Sequence, residues 1–123
     1  MKVVDSSGWV EFFTGGPLAE AYAGHLKNSQ EVVTPTVVVY EVYKLIKRER
    51  GEEEALTAAA QMGKTHVVPL TDRIALTAAD ASLSHRLAMA DAVVYATALV
   101  EGASLVTSDS DLASLPGVTY LKK

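Results

Sequence analysis

Lys2-Val3-Val4-Asp5-Ser6-Ser7 at one end of the chain and Ser104-Leu105-Val106-Thr107-Ser108-Asp109 near the other decide the fold. Each begins as a short β-rich run, too brief for a helix, and closes on an acid flanked by hydroxyl side chains. Glu31–Val33, His66–Val68 and Val118–Tyr120 are further short runs of the same kind. The segments between them have helical length and composition, and strands alternating with helices predict an α/β fold with a central parallel sheet and crossover helices.

Helix punctuation supports that division. Ser6 or Ser7 is placed to cap a first helix carrying Trp9, Val10, Phe12 and Phe13, and Gly15-Gly16-Pro17 separates it from a second over Leu18–Lys27. Thr34-Pro35 predicts the start of a third helix, a threonine cap before a proline whose missing N–H costs nothing there, running to Gly51. Glu52-Glu53-Glu54 supplies negative charge to the first turn of a fourth helix ending at Met62. Thr71-Asp72 opens a fifth that reaches Ser84, and Asp91–Glu101 forms a sixth stopped by Gly102.

A chain of 123 residues with 49% hydrophobic and 21% charged residues has the composition of one globular domain. The mean hydropathy is +0.16, and the longest apolar runs fall far short of the roughly 18 residues that span a bilayer. With no signal-peptide pattern, a soluble, cytoplasmic protein without a membrane partner is expected. Absence of cysteine excludes disulfides, thiolate catalysis and cysteine–zinc sites. The formal charge is −4, yet setting aside four acids leaves 11 of the 15 Asp and Glu against 11 Lys and Arg. Overall acidity therefore does not exclude a nucleic-acid partner, because a bound divalent ion reverses the local sign.

Those four acids are Asp5, Glu41, Asp91 and Asp109. Asp5 and Asp109 follow the carboxyl ends of predicted strands, where open parallel sheets bind ligands. Glu41 interrupts Thr36-Val37-Val38-Val39-Tyr40-Glu41-Val42-Tyr43 and shares a helical face with Val37, Val38 and Leu45. Asp91 opens Asp91-Ala92-Val93-Val94-Tyr95-Ala96. Burying a bare carboxylate costs several kcal/mol, which a shared cation would offset. Hard ions such as Mg2+ or Mn2+ take carboxylate oxygens without a histidine or cysteine set, and can drive phosphodiester hydrolysis.

Each acid also has an ordinary structural reading: a turn or helix cap for Asp5, an N-cap for Asp91, a turn for Asp109 and a snorkelling surface side chain for Glu41. One shared site accounts for all four together. Asp111 ranks fifth as an auxiliary acid, while Asp72 and Asp80 belong to exposed helix faces. His25, His66 and His85 lack metal-ligand spacing. Lys44, Lys47, Arg48 and Arg50 read as a solvated helix face rather than a phosphate grip, and Arg86 is the better single candidate for contacting RNA.

Taken in order, Val3-Val4-Asp5-Ser6-Ser7, Thr34-Pro35 with Tyr40-Glu41-Val42, Asp91 to Leu99, and Leu105-Val106-Thr107-Ser108-Asp109-Ser110-Asp111-Leu112 resemble the PIN-domain nucleases, in particular the small VapC-type toxins of toxin–antitoxin pairs. The likeness covers essentially the whole chain; no single motif is specific, but the ordered set is. It implies a three-layer fold with a central parallel sheet between helices, a Mg2+- or Mn2+-dependent endoribonuclease, a homodimer and a cognate antitoxin protein. By motif match, Asp5, Glu41, Asp91 and Asp109 correspond to the family's acidic quartet, with Asp111 a frequent additional acid and Ser7 and Thr107 the supporting hydroxyls. Leu112 departs from the phenylalanine often found after the last acid. The competing expectations are an RNA-processing nuclease without an antitoxin and a non-catalytic RNA-binding module. A receiver-type signalling domain is disfavoured, because an acid cluster after the first strand and a late lysine are both missing.

Overall fold

A computed structural model describes Met1–Lys123. Five strands, β1 (Lys2–Val4), β2 (Val32–Pro35), β3 (His66–Val68), β4 (Ser104–Thr107) and β5 (Val118–Tyr120), form one all-parallel sheet in the order β3-β2-β1-β4-β5. Six helices flank it: α1 (Ser6–Thr14), α2 (Ala19–Leu26), α3 (Thr36–Arg50), α4 (Glu52–Met62), α5 (Asp72–His85) and α6 (Met89–Glu101). The expected α/β architecture is the observed one.

Strand β1 lies at the centre, and its Val3 and Val4 are fully buried, as befits a strand covered on both faces. It pairs with β2 on one side and β4 on the other, through Val3 with Val33 and with Leu105. The strand order reverses between β1 and β4, so the chain leaves their carboxyl ends in different directions and opens a crevice there. Asp5 stands at the end of β1 and Asp109 just beyond β4.

Four local expectations are corrected. The second strand is Val32–Pro35 rather than Glu31–Val33, and Thr34 does not cap α3. Thr34 is a buried strand residue whose hydroxyl hydrogen-bonds Thr65 Oγ1 at 2.6 Å, and α3 begins at Thr36 without a side-chain cap. The cap of α1 is likewise Asp5, one residue earlier than expected, its Oδ1 accepting from Ser6 N–H at 2.8 Å. Helix α6 starts at Met89, two residues before the expected Asp91, which lies in its first turn rather than at its start. At its other end Gly102 adopts φ 63°, the left-handed conformation that a helix-ending glycine takes most easily.

The helices pack in consecutive pairs, α1 with α2, α3 with α4 and α5 with α6, around one apolar core that includes Trp9, Tyr22, Met62 and Leu112. The most exposed large apolar side chains are Leu76 and Leu83 on α5 and Met89 at the start of α6, and Tyr40 on α3 and Leu56 on α4 are also exposed. No helix is long and apolar enough to cross a membrane.

The α1–α2 contact depends on the missing side chain of Gly8. A Cβ there would lie 2.2 Å from the Tyr22 ring, whereas one at Gly24 on α2 would meet nothing within 4 Å. Gly8→Ala is therefore expected to destabilise the protein by about 1–3 kcal/mol through overpacking. Gly24→Ala should hold or raise stability by up to about 1 kcal/mol through helix propensity. Urea unfolding of both variants checks this contrast, which equal effects would remove.

Candidate functional site

At the crevice, Asp5 is buried but fully engaged. Its Oδ2 accepts hydrogen bonds from Thr107 Oγ1 at 2.8 Å and Ser7 Oγ at 3.3 Å, while Oδ1 serves the α1 cap. The same two hydroxyls accept backbone N–H groups from the segment after β4: Asp109 N–H donates to Thr107 Oγ1 at 2.9 Å, and Ser108 N–H donates to Ser7 Oγ at 3.1 Å. Behind them the Tyr22 hydroxyl meets Ser108 Oγ at 2.6 Å. One carboxylate and two hydroxyls thus fix the end of β1 to the end of β4.

Asp109 carries its own local restraint, its Oδ1 accepting Asp111 N–H at 2.9 Å. Carboxylate oxygens of Asp91, Asp109 and exposed Asp111 lie within 4.8 Å of one another. Asp91 comes from the first turn of α6, where the helix dipole favours negative charge. Glu41 reaches the same cleft from the middle of α3.

The cleft, about 580 Å³ in volume, is lined by Asp5, Glu41, Asp91 and Asp109 among others, so the four acids singled out in the sequence share one wall-to-wall space. Asp111 adjoins it through Asp91 and Asp109. Ser7 lines it, and Thr107 supports it from beneath. Arg86 does not: it is an exposed residue ending α5 in the left-handed conformation, φ 56°.

Electrostatics mark the cleft as a site of unbalanced negative charge. Burial, then repulsion from Asp109 and Asp5, pushes the Asp91 carboxyl up to about 7. Burial and the Asp5 charge raise Glu41, and burial raises Asp5 against the lowering effect of its Thr107 and Ser6 hydrogen bonds. None of the four acids forms an ion pair with Lys or Arg. Oxygen-only donors lacking a cationic partner, with Asp91, Asp109 and Asp111 within 4.8 Å of one another and Asp5 and Glu41 lining the same cleft, fit a hard divalent ion.

Sequence reasoning missed two features of this region. Glu11 is 4% exposed, its Oε1 accepting Leu18 N–H at 3.0 Å and its Oε2 paired with Lys123 Nζ at 3.3 Å. Its position between Val10 and Phe12 is the same acid-in-an-apolar-run signal that identified Glu41. The other is that Tyr40, Lys44, Arg48 and Lys123 also line the cleft.

Comparison with known proteins identifies the fold. The family model of the PIN domain matches residues 2–118. A toxin–antitoxin complex from Klebsiella pneumoniae contains a chain of the same fold, with TM-score 0.84, 19% identity and complete coverage of both chains. VapC20 from Mycobacterium tuberculosis, a toxin that cleaves the sarcin–ricin loop, superimposes with TM-score 0.79 at 21% identity, again over 100% of each chain. VapBC2 from Rickettsia felis, bound to a DNA fragment of its promoter, gives 0.77 at 13% identity, covering 98% of this chain and 97% of the other. No curated protein matches the chain in sequence.

The raised acids set a pH dependence with a definite sign. Between the ordinary aspartate value of 3.8 and about 7, the folded protein binds more protons at Asp91 than the unfolded chain does, so stability falls as pH rises through that window. Glu41 and Asp5 act in the same direction. Metal-free protein is expected to melt at a higher temperature near pH 5 than near pH 7.5, with Asp91→Asn flattening the difference and Mn2+ stabilising most at the higher pH. Thermal melts across pH, with and without Mn2+, check this; a wild-type melting temperature that climbs over the same interval contradicts it.

Proposed function

This chain belongs to the PIN-domain family, and from that premise we propose that it is a divalent-metal-dependent endoribonuclease acting as the toxin of a toxin–antitoxin pair. The observation that carries the proposal is the convergence of Asp5, Glu41, Asp91 and Asp109, without cationic partners, on one cleft at the strand-order reversal. The toxin–antitoxin setting is supported by the similarity over the full chain to a chain of the Klebsiella toxin–antitoxin complex and to the Mycobacterium toxin.

In this reading the four acids hold Mg2+ or Mn2+, with Asp111 as an auxiliary acid. The ion, when bound, supplies positive charge to the scissile phosphate and makes water a stronger nucleophile at neutral pH. The residues supply placement. Asp5 is locked by Ser7 and Thr107, and Asp109 is fixed to the same Thr107 hydroxyl, so the two strand-end acids keep a constant separation. Asp91 and Glu41 approach from helices and complete a negatively charged pocket that repels RNA phosphate until it is neutralised.

The partners in this proposal are an RNA substrate, a cognate antitoxin protein and a second copy of the chain. The exposed Leu76, Leu83 and Met89 offer apolar surface suited to such association. An antitoxin that placed a basic side chain among the four acids would compete with the ion for them.

Replacement of any of the four acids by its amide is expected to lower RNA cleavage about 1,000-fold, equivalent to losing several kcal/mol of transition-state stabilisation. Thr107→Val, which removes a support rather than an acid, should lower it about 10–100-fold. Asp80→Asn, on an exposed part of α5, should be nearly silent. Cleavage of total RNA in Mg2+ by circular-dichroism-verified folded protein checks the series. If the Asp80 variant loses as much activity as the Asp109 variant, the site assignment is wrong; if wild type never cleaves, so is the activity.

A further inference from the structure

Helix α3 carries Glu41 into the cleft, and besides Leu45 the same helix carries three other side chains there. Tyr40, Lys44 and Arg48 line the space together with Glu41. Spacings of three and seven residues from Glu41 put Lys44 and Arg48 on its face, one and two turns further along at about 5.4 Å per turn. The reading of Lys44 and Arg48 as a merely solvated face is therefore replaced: their solvent is the cleft.

Tyr40 is 61% exposed, which is unusual for an aromatic ring unless something else covers it. Lys44 Nζ lies 3.3 Å from its hydroxyl and 5.4 Å from its ring centroid, steadying the side chain while leaving most of the ring open. Arg48 has only an exposed pairing with its neighbour Glu49, a contact too weak to hold it from a better anion. Across the cleft Lys123 is anchored by buried Glu11 and stands 60% exposed. The space thus has an acidic end and a basic wall with one open aromatic ring. Cations that follow a backbone, combined with a platform for an unpaired base, are what single-stranded nucleic acid requires.

The geometry points to α3 as the substrate track: Tyr40 stacks an unpaired RNA base beside the scissile phosphate, and Lys44 and Arg48 bind the next phosphates along the strand. This inference rests on the ribonuclease reading and adds the path of the unpaired strand along α3 and the residues responsible. Tyr40, Lys44 and Arg48 act on binding and positioning, whereas the acids act on the reaction.

The test measures fluorescence anisotropy of a labelled single-stranded oligoribonucleotide of mixed sequence, with Asp109→Asn protein as the background so that the probe stays intact. Tyr40→Ala should weaken binding about tenfold or more, and Tyr40→Phe should restore it, because the ring and not the hydroxyl stacks. Lys44→Ala and Arg48→Ala should each lower the slope of log affinity against log salt by about 0.7, the loss of one phosphate contact. A duplex of the same sequence should compete poorly. In otherwise wild-type protein the three substitutions should raise KM for cleavage with little change in kcat. Unchanged probe affinity and salt slope, with cleavage still abolished by Asp109→Asn, overturn the track alone; so does a change confined to oligomeric state on gel filtration, which would assign the face to a protein interface. Binding through the track without cleavage by wild type would uphold the track and overturn the nuclease reading, and a wild-type protein that neither binds nor cleaves the probe overturns both.

Discussion

Everything at the cleft depends on the carboxylate of Asp5, buried at the end of the central strand and held by three hydrogen bonds. A buried charge left without partners would cost several kcal/mol, so the surrounding donors are a condition of the fold. Ser7 and Thr107 meet that condition in a particular way. Each hydroxyl donates to Asp5 and accepts a backbone N–H from the segment that carries Asp109. The bond that stabilises the first acid therefore positions the last one, although more than a hundred residues separate them in the chain.

Sheet topology explains why this clamp sits where other acids can reach it. With β1 and β4 as parallel neighbours at the reversal of strand order, their carboxyl ends point into one crevice. Helices α3 and α6 present Glu41 and Asp91 to the same space. Burial, reinforced by the resulting local excess of negative charge, raises three carboxyl groups above their ordinary values. Such a cluster is a burden on the fold without a cation, and it is placed beside a buried core able to carry that burden. The nearest basic residues remain along the cleft wall, available to a polyanion instead of neutralising the acids.

Much of this was legible because the decisive signals are local. Short β-rich runs ending in an acid located β1 and β4 and with them Asp5 and Asp109. An acid on an apolar helical stripe located Glu41, and the Gly102 stop located the end of α6. The ordered set of motifs carried the family resemblance that no single residue could. What failed was information that exists only between elements. Thr34-Pro35 has the composition of a helix start, yet Thr65 stands opposite in space and makes Thr34 a strand residue. Glu11 gave the same signal as Glu41, but its partner Lys123 lies at the far end of the chain. Lys44 and Arg48 were correctly placed in solvent, and the periodicity of one helix cannot say that this solvent fills a cleft shared with four acids.

The central claim is that the acids gathered by the Asp5 clamp hold a divalent ion. Anomalous diffraction from crystals grown with Mn2+ tests it directly. The account predicts a manganese peak within coordination distance of carboxylate oxygens from this cluster, with Asp91 and Asp109 among the ligands, and no such peak in Asp91→Asn crystals grown the same way. A cleft without a peak at saturating Mn2+, or manganese bound only elsewhere, as at Glu52-Glu53-Glu54 on α4, would contradict it.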